Sequence, residues 1–282
     1  MFVSPMLLHK FTPPFSDFPW EEDQYISELK LDGIRILVSK FDDKIKVYTR
    51  HHNEVTSIFP ELQSLKIPNG TIVDGEIVVT DDSGKPVFEE VMSRFLAGKN
   101  GHQRVQYCIF DIIYYKGQKI TSKPLVERKE ILESIIIPND TVTLVQWSYG
   151  SGEVLYNLTK EQGLEGVVFK RVNSIYKINK RSHDWLKAVH YSFAVVHVMG
   201  LRKDKFGLLL GLKDNGKLRP AGVMEFMTPS ARKQFYLMQK DLVVNENNKF
   251  IYLEPKIKLF VKFRNFTKDG KLRIPSFVEF VS

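Results

Sequence analysis

The feature that most constrains the fold is a change in apolar pattern near residue 190. Before this point, runs of alternating apolar residues are separated by segments in which apolar residues recur at helical spacing. After it, the alternating runs are short, and turns rich in Gly and Asn separate them. The first pattern indicates a mixed α+β domain, and the second indicates a small Greek-key β-barrel. We therefore expect an α+β fold with two domains, at residues 1–189 and 190–282.

These periodicities also place the individual elements. The strands of the first domain are expected at residues 24–29, 34–41, 71–80, 105–115 and 141–147. Its helices are expected at residues 56–65, 87–97, 124–136 and 153–162. The second domain should contain one helix at 229–239 and turns at 205–207, 214–216 and 268–270.

Positive charge is concentrated in the second domain. Residues 1–187 contain 24 Lys and Arg against 25 Asp and Glu, whereas residues 188–282 contain 17 against 8. A segregated positive surface is typical of a protein that binds a phosphate backbone, although a surface charge that only aids solubility is the alternative.

The composition excludes several classes of protein. Cys108 is the only cysteine, which excludes a disulfide framework and a cysteine zinc site, and we expect it in the core. His51 and His52 are adjacent, so on an extended segment they point to opposite faces, and we predict no zinc site. No apolar run approaches the roughly 18 residues that a membrane span needs. We expect a cytoplasmic protein with no membrane contact.

The sharpest local motif is Glu28-Leu-Lys30-Leu-Asp32-Gly33-Ile-Arg35. It places a lysine between a predicted strand and a glycine turn, with an acid and an arginine nearby. To act as a nucleophile, this lysine must lose its proton near neutral pH. Desolvation and a cationic neighbour, such as Arg35 or a bound metal ion, favour that loss.

The order of this and the later motifs resembles the covalent nucleotidyltransferase superfamily, which contains ATP-dependent DNA ligases, RNA ligases and mRNA capping enzymes. The resemblance implies a nucleotidyltransferase (adenylation) domain with antiparallel sheets. It also implies that Lys30 attacks the α-phosphate of ATP to form lysyl-AMP. Glu28 would read the adenine amino group, Leu29 would lie beside it in the nucleotide site, and Arg35 would hold the ribose.

Further motifs follow in the family's order. In Tyr48-Thr-Arg50 the resemblance implies that Arg50 engages the nick phosphate. In Val73-Asp-Gly-Glu76 it implies that Glu76 contacts the ribose, and in Phe110-Asp-Ile that Phe110 stacks on adenine.

Two motifs near the end of the first domain complete the predicted site. In Glu165-Gly-Val-Val-Phe-Lys170, the resemblance makes Glu165 a ligand of Mg²⁺ or Mn²⁺, and carboxylate oxygens suit such hard ions. In Trp185-Leu-Lys187, Lys187 would meet the α-phosphate, and Lys170 would supply a second positive charge for phosphate oxygens. Arg181 would contact the nick.

The end of the chain resembles one branch of the superfamily. Leu253-Glu-Pro and the segment at 266–277 are similar to the end of the OB domain in bacterial end-joining and phage-type DNA ligases. The resemblance implies a minimal two-domain, ATP-dependent ligase. It would seal 5′-phosphate/3′-hydroxyl nicks in double-stranded DNA through lysyl-AMP and DNA-adenylate. We expect a monomer, with a Ku-like end-joining protein as a candidate partner.

Two departures from the family pattern concern the first reaction step. Val189 replaces the usual second lysine of the Trp-Leu-Lys motif, and the sequence ends at Ser282, where the family continues into Arg-x-Asp-Lys. That motif orients the pyrophosphate leaving group, so we expect slow self-adenylation. The alternatives are a GTP-dependent capping guanylyltransferase or an RNA ligase and, from another class, a non-catalytic protein that binds nicks or DNA ends.

Overall fold

The computed structural model of the chain describes residues 1–281, with Lys99 described by its backbone alone. It divides into two units, Met1–Val189 and a second that begins at His190. The prediction of slow self-adenylation rests partly on the sequence ending at Ser282, and Ser282 lies outside the described residues.

The first unit contains eleven described strands and three described α-helices. The strands are β1 Leu7–Lys10, β2 Tyr25–Leu29, β3 Ile34–Phe41, β4 Lys44–Thr49, β5 Thr71–Val78, β6 Gln106–Tyr115, β7 Gln118–Lys119, β8 Val142–Leu144, β9 Trp147–Tyr149, β10 Gly166–Arg171 and β11 Arg181–Val189. The helices are α1 Phe88–Ala97, α2 Leu125–Ile135 and α3 Gly152–Glu161.

These strands form two mainly antiparallel sheets. One has the order β1-β11-β10-β2-β9, and the other has the order β4-β3-β5-β6-β7, with β8 joined to β6. The β1–β11 and β6–β8 pairs are parallel. In the second sheet, β3 and β5 are antiparallel neighbours, and their register places Arg35 opposite Glu76.

The second sheet is buried on both faces. Along β3, Ile36 and Val38 face a core that includes Val91 of α1 and Leu132 of α2. Leu37, between them, points the other way and joins a cluster with Trp185 of β11. All three β3 residues have no exposed surface. The two sheets therefore pack through the Leu37 face, since alternate residues of a strand point to opposite sides.

Two predicted elements of this unit are wrong. The helix at 56–65 is reduced to a short 3₁₀ turn, Pro60–Ser64, because the Thr56 hydroxyl accepts from the Val47 amide of β4 and Pro60 cannot donate a helical hydrogen bond. The strand at 141–147 is divided between β8 and β9, which belong to different sheets. The pattern also does not predict β1, β4, β7, β10 and β11, whereas α1, α2 and α3 confirm the other helices.

The second unit is built on one long strand. Its described elements are β12 Ser192–Arg202, β13 Leu208–Asp214, β14 Lys217–Met224, α4 Pro229–Met238, β15 Val243–Glu246, β16 Phe250–Leu253, β17 Lys258–Phe263 and β18 Ser276–Val281. The β12 strand pairs with β13, β16 and β17, and β17 continues to β18. The predicted helix at 229–239 is confirmed as α4, which begins after the Thr228 cap.

A bridge between edge strands closes this second sheet. Phe226, just after β14, pairs with Ser276 at the start of β18. The strands β14, β13, β12, β17 and β18 therefore form a closed circuit around a core that contains Val196, Leu210 and Phe235. Among the described residues, the helices are all too short or too polar to cross a bilayer.

Candidate active site

A cavity of about 610 Å³ opens in the first unit and receives side chains from both of its sheets. All of the predicted site residues line it except Glu165, which contacts the cavity through Lys30. The predicted residues in its lining are Glu28, Leu29, Lys30, Arg35, Arg50, Glu76, Phe110, Lys170, Arg181 and Lys187.

Lys30 lies at the end of β2, where the chain leaves the first sheet. Its amide donates to the Gly166 carbonyl at 2.9 Å, which fixes its backbone against β10. Its ammonium lies 2.8 Å from a Glu165 carboxylate oxygen, and the two side chains are 18% and 8% exposed. The motif glycine is sterically required, because a Cβ on Gly33 would lie 2.1 Å from the Ile77 carbonyl oxygen. The Lys30 backbone is therefore fixed at the cavity wall, while its side chain remains accessible from the cavity.

The buried carboxylate of Glu28 lines one end of the cavity. Glu28 is 3% exposed, and a carboxylate oxygen lies 2.7 Å from the ammonium of Lys170 on the adjacent strand. The ammonium of Lys129, from α2, contacts the other oxygen. Lys129 is not predicted from the sequence, because its place in a charged helix suggests a solvated position.

Aromatic rings surround the Lys170 ammonium. It lies 4.5 Å from the centroid of Phe110 and 4.4 Å from that of Trp185. Burial lowers the pKa of Lys170 to about 8, and the nearby Lys129 charge acts in the same direction. Glu28 opposes this shift, since a neighbouring carboxylate favours the protonated amine.

Asp74 holds the Arg35 side chain in place. Its guanidinium makes a forked pair with Asp74, at 2.9 and 2.6 Å, and lies 5.2 Å from the Phe110 ring centroid. The Tyr176 hydroxyl donates to the same carboxylate at 2.6 Å. Burial alone would lower the pKa of Arg35, but Asp74 outweighs it, so the pKa lies above its ordinary value. Asp74 is a site residue that was not predicted from the sequence, although it lies in the Val73-Asp-Gly-Glu76 motif.

Glu76 projects from β5 beside Arg35. Burial raises the pKa of its carboxyl to about 7, although the charges of Lys30 and Arg35 lower it, and Glu165 raises it further. The cavity lining therefore joins the Lys30 amine and the Arg35 guanidinium with the carboxylates of Glu28 and Glu76.

The metal prediction rests on Glu165. Among the described residues, no group of three or more His, Cys, Asp and Glu side chains could hold a metal ion. A Mg²⁺ ion does not require such a group, because it is often held by one or two carboxylates and by phosphate oxygens of the substrate. The Glu165 carboxylate, which lies 2.8 Å from the Lys30 ammonium, fits that arrangement.

The predicted DNA contacts lie at the rim. Arg50 is exposed and donates to His51 at 3.0 Å. The Arg181 guanidinium donates to the Leu8 carbonyl, and Lys187 is half-buried on the same strand. Val189, which replaces the family lysine, is buried.

The fold and this cavity define a nucleotidyltransferase-type ligase, with mixed α/β content and antiparallel sheets. Residues 5–188 match the family described as the ATP dependent DNA ligase domain. The chain is 49% identical, over 98% of both chains, to the SPbeta prophage-derived DNA ligase-like protein LigB of Bacillus subtilis (strain 168). The chain therefore belongs to the ATP-dependent DNA ligase family.

More distant similarities extend along the chain. It is 29% identical to the DNA ligase of Thermococcus fumicolans over 89% of this chain, and it spans 50% of that protein. A structure of mycobacterial DNA ligase D complexed with ATP and MES aligns with a TM-score of 0.60 and 25% identity, covering 99% of this chain and 95% of that one.

Proposed function

We propose that this ATP-dependent DNA ligase seals nicks in duplex DNA through a lysyl-AMP formed on Lys30. The observation that carries the proposal is the position of Lys30 at the wall of a cavity with a carboxylate partner 2.8 Å away. The Lys30 amine, once deprotonated, attacks the α-phosphorus of ATP, the bond to the pyrophosphate oxygen breaks, and pyrophosphate leaves. The AMP then passes to the DNA 5′-phosphate, and the 3′-hydroxyl displaces it.

The nucleoside of ATP binds at the end of the cavity that contains Glu28. Phe110 stacks on the base, and Glu28 accepts a hydrogen bond from the adenine amino group. Arg35 and Glu76 hold the ribose. Their adjacency in the β3–β5 register supports this pairing of roles. Leu29 packs beside the base.

The phosphates and a divalent ion would bind near Lys30 and Glu165. Glu165 would hold Mg²⁺ or Mn²⁺, which supplies a positive charge that stabilises charge developing on phosphate oxygens. Lys187 would contact the α-phosphate. Lys170 lies against Glu28, 2.7 Å away, so its expected phosphate contact remains a prediction. Arg50 and Arg181 would engage the nick.

The second unit is proposed to be an OB-fold domain that binds the DNA backbone. Its five-strand circuit, closed through Phe226 and Ser276, supports the fold assignment. Its excess of basic residues supports phosphate contact, which holds the duplex without reading its sequence. We further propose a cytoplasmic monomer, with a Ku-like protein as a partner in end joining.

A nick-sealing assay tests this function. Wild-type protein with ATP and Mg²⁺ should seal a nicked duplex that carries a 5′-phosphate. The Lys30→Ala variant should fail on that substrate but still seal a nick whose 5′-phosphate is already adenylated. Failure of the wild-type protein on both substrates would contradict the proposal and favour a non-catalytic nick-binding protein.

Labelling with ATP and GTP distinguishes the remaining enzymes. Covalent labelling by ATP with sealing of DNA fits the proposed ligase. Labelling by GTP would instead indicate a capping guanylyltransferase, and sealing confined to RNA would indicate an RNA ligase.

A further inference from the structure

We propose that Lys129 is a positioning residue that sets the preference of this ligase for ATP over GTP. It would do so by keeping the Glu28 carboxylate ionised and in place. This inference rests on the proposed role of Glu28 as the group that reads the base.

Lys129 approaches Glu28 from the side opposite the cavity. Glu28 and Lys170 both line the cavity, whereas Lys129 is not among its lining residues. The Lys129 side chain is 4% exposed and its ammonium contacts one Glu28 oxygen, while Lys170 contacts the other. Lys129 therefore acts on the nucleotide through Glu28.

The helix that carries Lys129 is fixed in place by its neighbour. Arg128 makes a forked, wholly buried pair with Asp111 of β6, at 2.7 and 2.9 Å. It also donates to the carbonyls of Lys123 and Ser174, at 2.6 and 2.9 Å. These bonds set the position of α2 on the sheet, so the Lys129 ammonium has a defined location behind Glu28.

Lys170 cannot perform the same role once a base is bound. Its ammonium lies 4.5 Å from the Phe110 centroid, within the space that a base stacked on this ring would need. A base that stacks there displaces this ammonium or presses it aside, and Lys129 then remains as the buried positive charge on Glu28. An ionised carboxylate without such a partner is costly in a buried site and takes up a proton instead.

The charge state of Glu28 decides which base it accepts. An ionised carboxylate can only accept hydrogen bonds, so it pairs with the adenine amino group and repels the guanine 6-oxo oxygen. A protonated carboxyl can donate to that oxygen. The oxygen that faces the base is the one now paired with Lys170, because the other oxygen contacts Lys129, and displacing the Lys170 ammonium makes it available to the adenine amino group.

Lysyl-nucleotide formation with ATP and with GTP tests the inference. We would measure kcat/KM for each nucleotide with wild-type protein and with Lys129→Met, Lys129→Arg and Lys123→Met. Lys123 is the matched control, because it lies just before the same helix and its ion pair with Glu127 is exposed. The observable is the ATP-to-GTP ratio, since partial misfolding reduces both rates and leaves the ratio unchanged.

Lys129→Met should lower the ratio about 10- to 100-fold, which is the worth of one hydrogen bond to a charged group, mainly through a higher KM for ATP. Lys129→Arg should restore it, and Lys123→Met should match the wild type. In a Glu28→Gln background, Lys129→Met should have no further effect on the ratio. If Lys129→Met does not fold, Lys129→Gln carries the same expectation.

A wild-type ratio in a folded Lys129→Met or Lys129→Gln protein would overturn the inference. A loss in the ratio that Lys129→Arg fails to restore would overturn it as well. Wild-type protein that forms no adduct with ATP would instead contradict the proposed function, so the two failures are distinguishable.

Discussion

Replacing Asp74 by Asn should destabilise the first unit and weaken ATP binding together. Asp74 has no exposed surface and accepts two bonds from Arg35 and one from Tyr176. The substitution preserves the side-chain shape but removes the charge, and it turns one acceptor into a donor that faces other donors. Arg35, 13% exposed at its side chain, is left with a largely uncompensated charge.

The magnitude follows from the geometry. Removing one partner of a buried ion pair costs about 3 to 5 kcal/mol, and the oxygen that Asn retains places this case near the lower limit, at about 3 kcal/mol. The KM for ATP should also rise, because Arg35 loses the ion pair that orients it toward the ribose.

Urea unfolding followed by tryptophan fluorescence measures the effect. Trp20, Trp147 and Trp185 all lie in the first unit, so the signal reports on that unit. Asp140→Asn is the matched control, since its ion pair with Arg104 is almost wholly exposed and should contribute nothing measurable. An Asp74→Asn protein within about 0.5 kcal/mol of the wild type would show that the Asp74 charge does not stabilise the first unit.

Three further results are expected. Because burial raises the pKa of Glu76 to about 7 in the folded protein, against an ordinary 4.5, its contribution to stability is present below pH 4.5 and is lost as the pH rises through 7. Glu76→Gln should therefore gain up to about 3 kcal/mol relative to the wild type between pH 4.5 and 8, and equal pH profiles from urea unfolding would contradict this. Arg128→Met should lower the free energy of unfolding by at least about 3 kcal/mol in the same assay, because it leaves the Asp111 carboxylate buried and unpaired. In the wild type, Arg128 holds the pKa of Asp111 below its usual range. A loss below about 1 kcal/mol would be inconsistent with the buried pair. Affinity for nicked duplex should fall steeply as salt rises, with a log–log slope of about −0.9 per phosphate contact, and a flat titration would rule out binding through the phosphate backbone.

The periodicity of apolar residues predicts many of the strands and helices. The strand at 34–41 and the helices near residues 88, 125 and 153 are found where the apolar spacing places them. The error at 56–65 arises because a side-chain bond from Thr56 to β4 competes with helix formation, and helical spacing contains no information on that long-range bond. The division at 141–147 has the same origin, since the chain there passes from one sheet to the other.

The site shows a similar division between local and long-range information. The sequence motifs predict Lys30 and Glu165 as site residues. The 2.8 Å distance between the Lys30 ammonium and the Glu165 carboxylate depends on the pairing of β2 with β10, which joins residues far apart in sequence. Asp74 and Lys129 were not predicted because charged residues in a strand or helix usually face solvent. Their burial follows from tertiary pairing with Arg35 and Glu28.

The intact mass of the protein after incubation with ATP and Mg²⁺ tests lysyl-AMP formation on Lys30 most directly. We expect the wild type to gain one AMP moiety, mapped by peptide analysis to Lys30. We expect no gain in Lys30→Ala, and none in Lys30→Arg, because a guanidinium stays protonated and cannot attack phosphorus. An AMP adduct that persists in Lys30→Ala, or that maps to another residue in the wild type, would show that Lys30 is not the nucleophile.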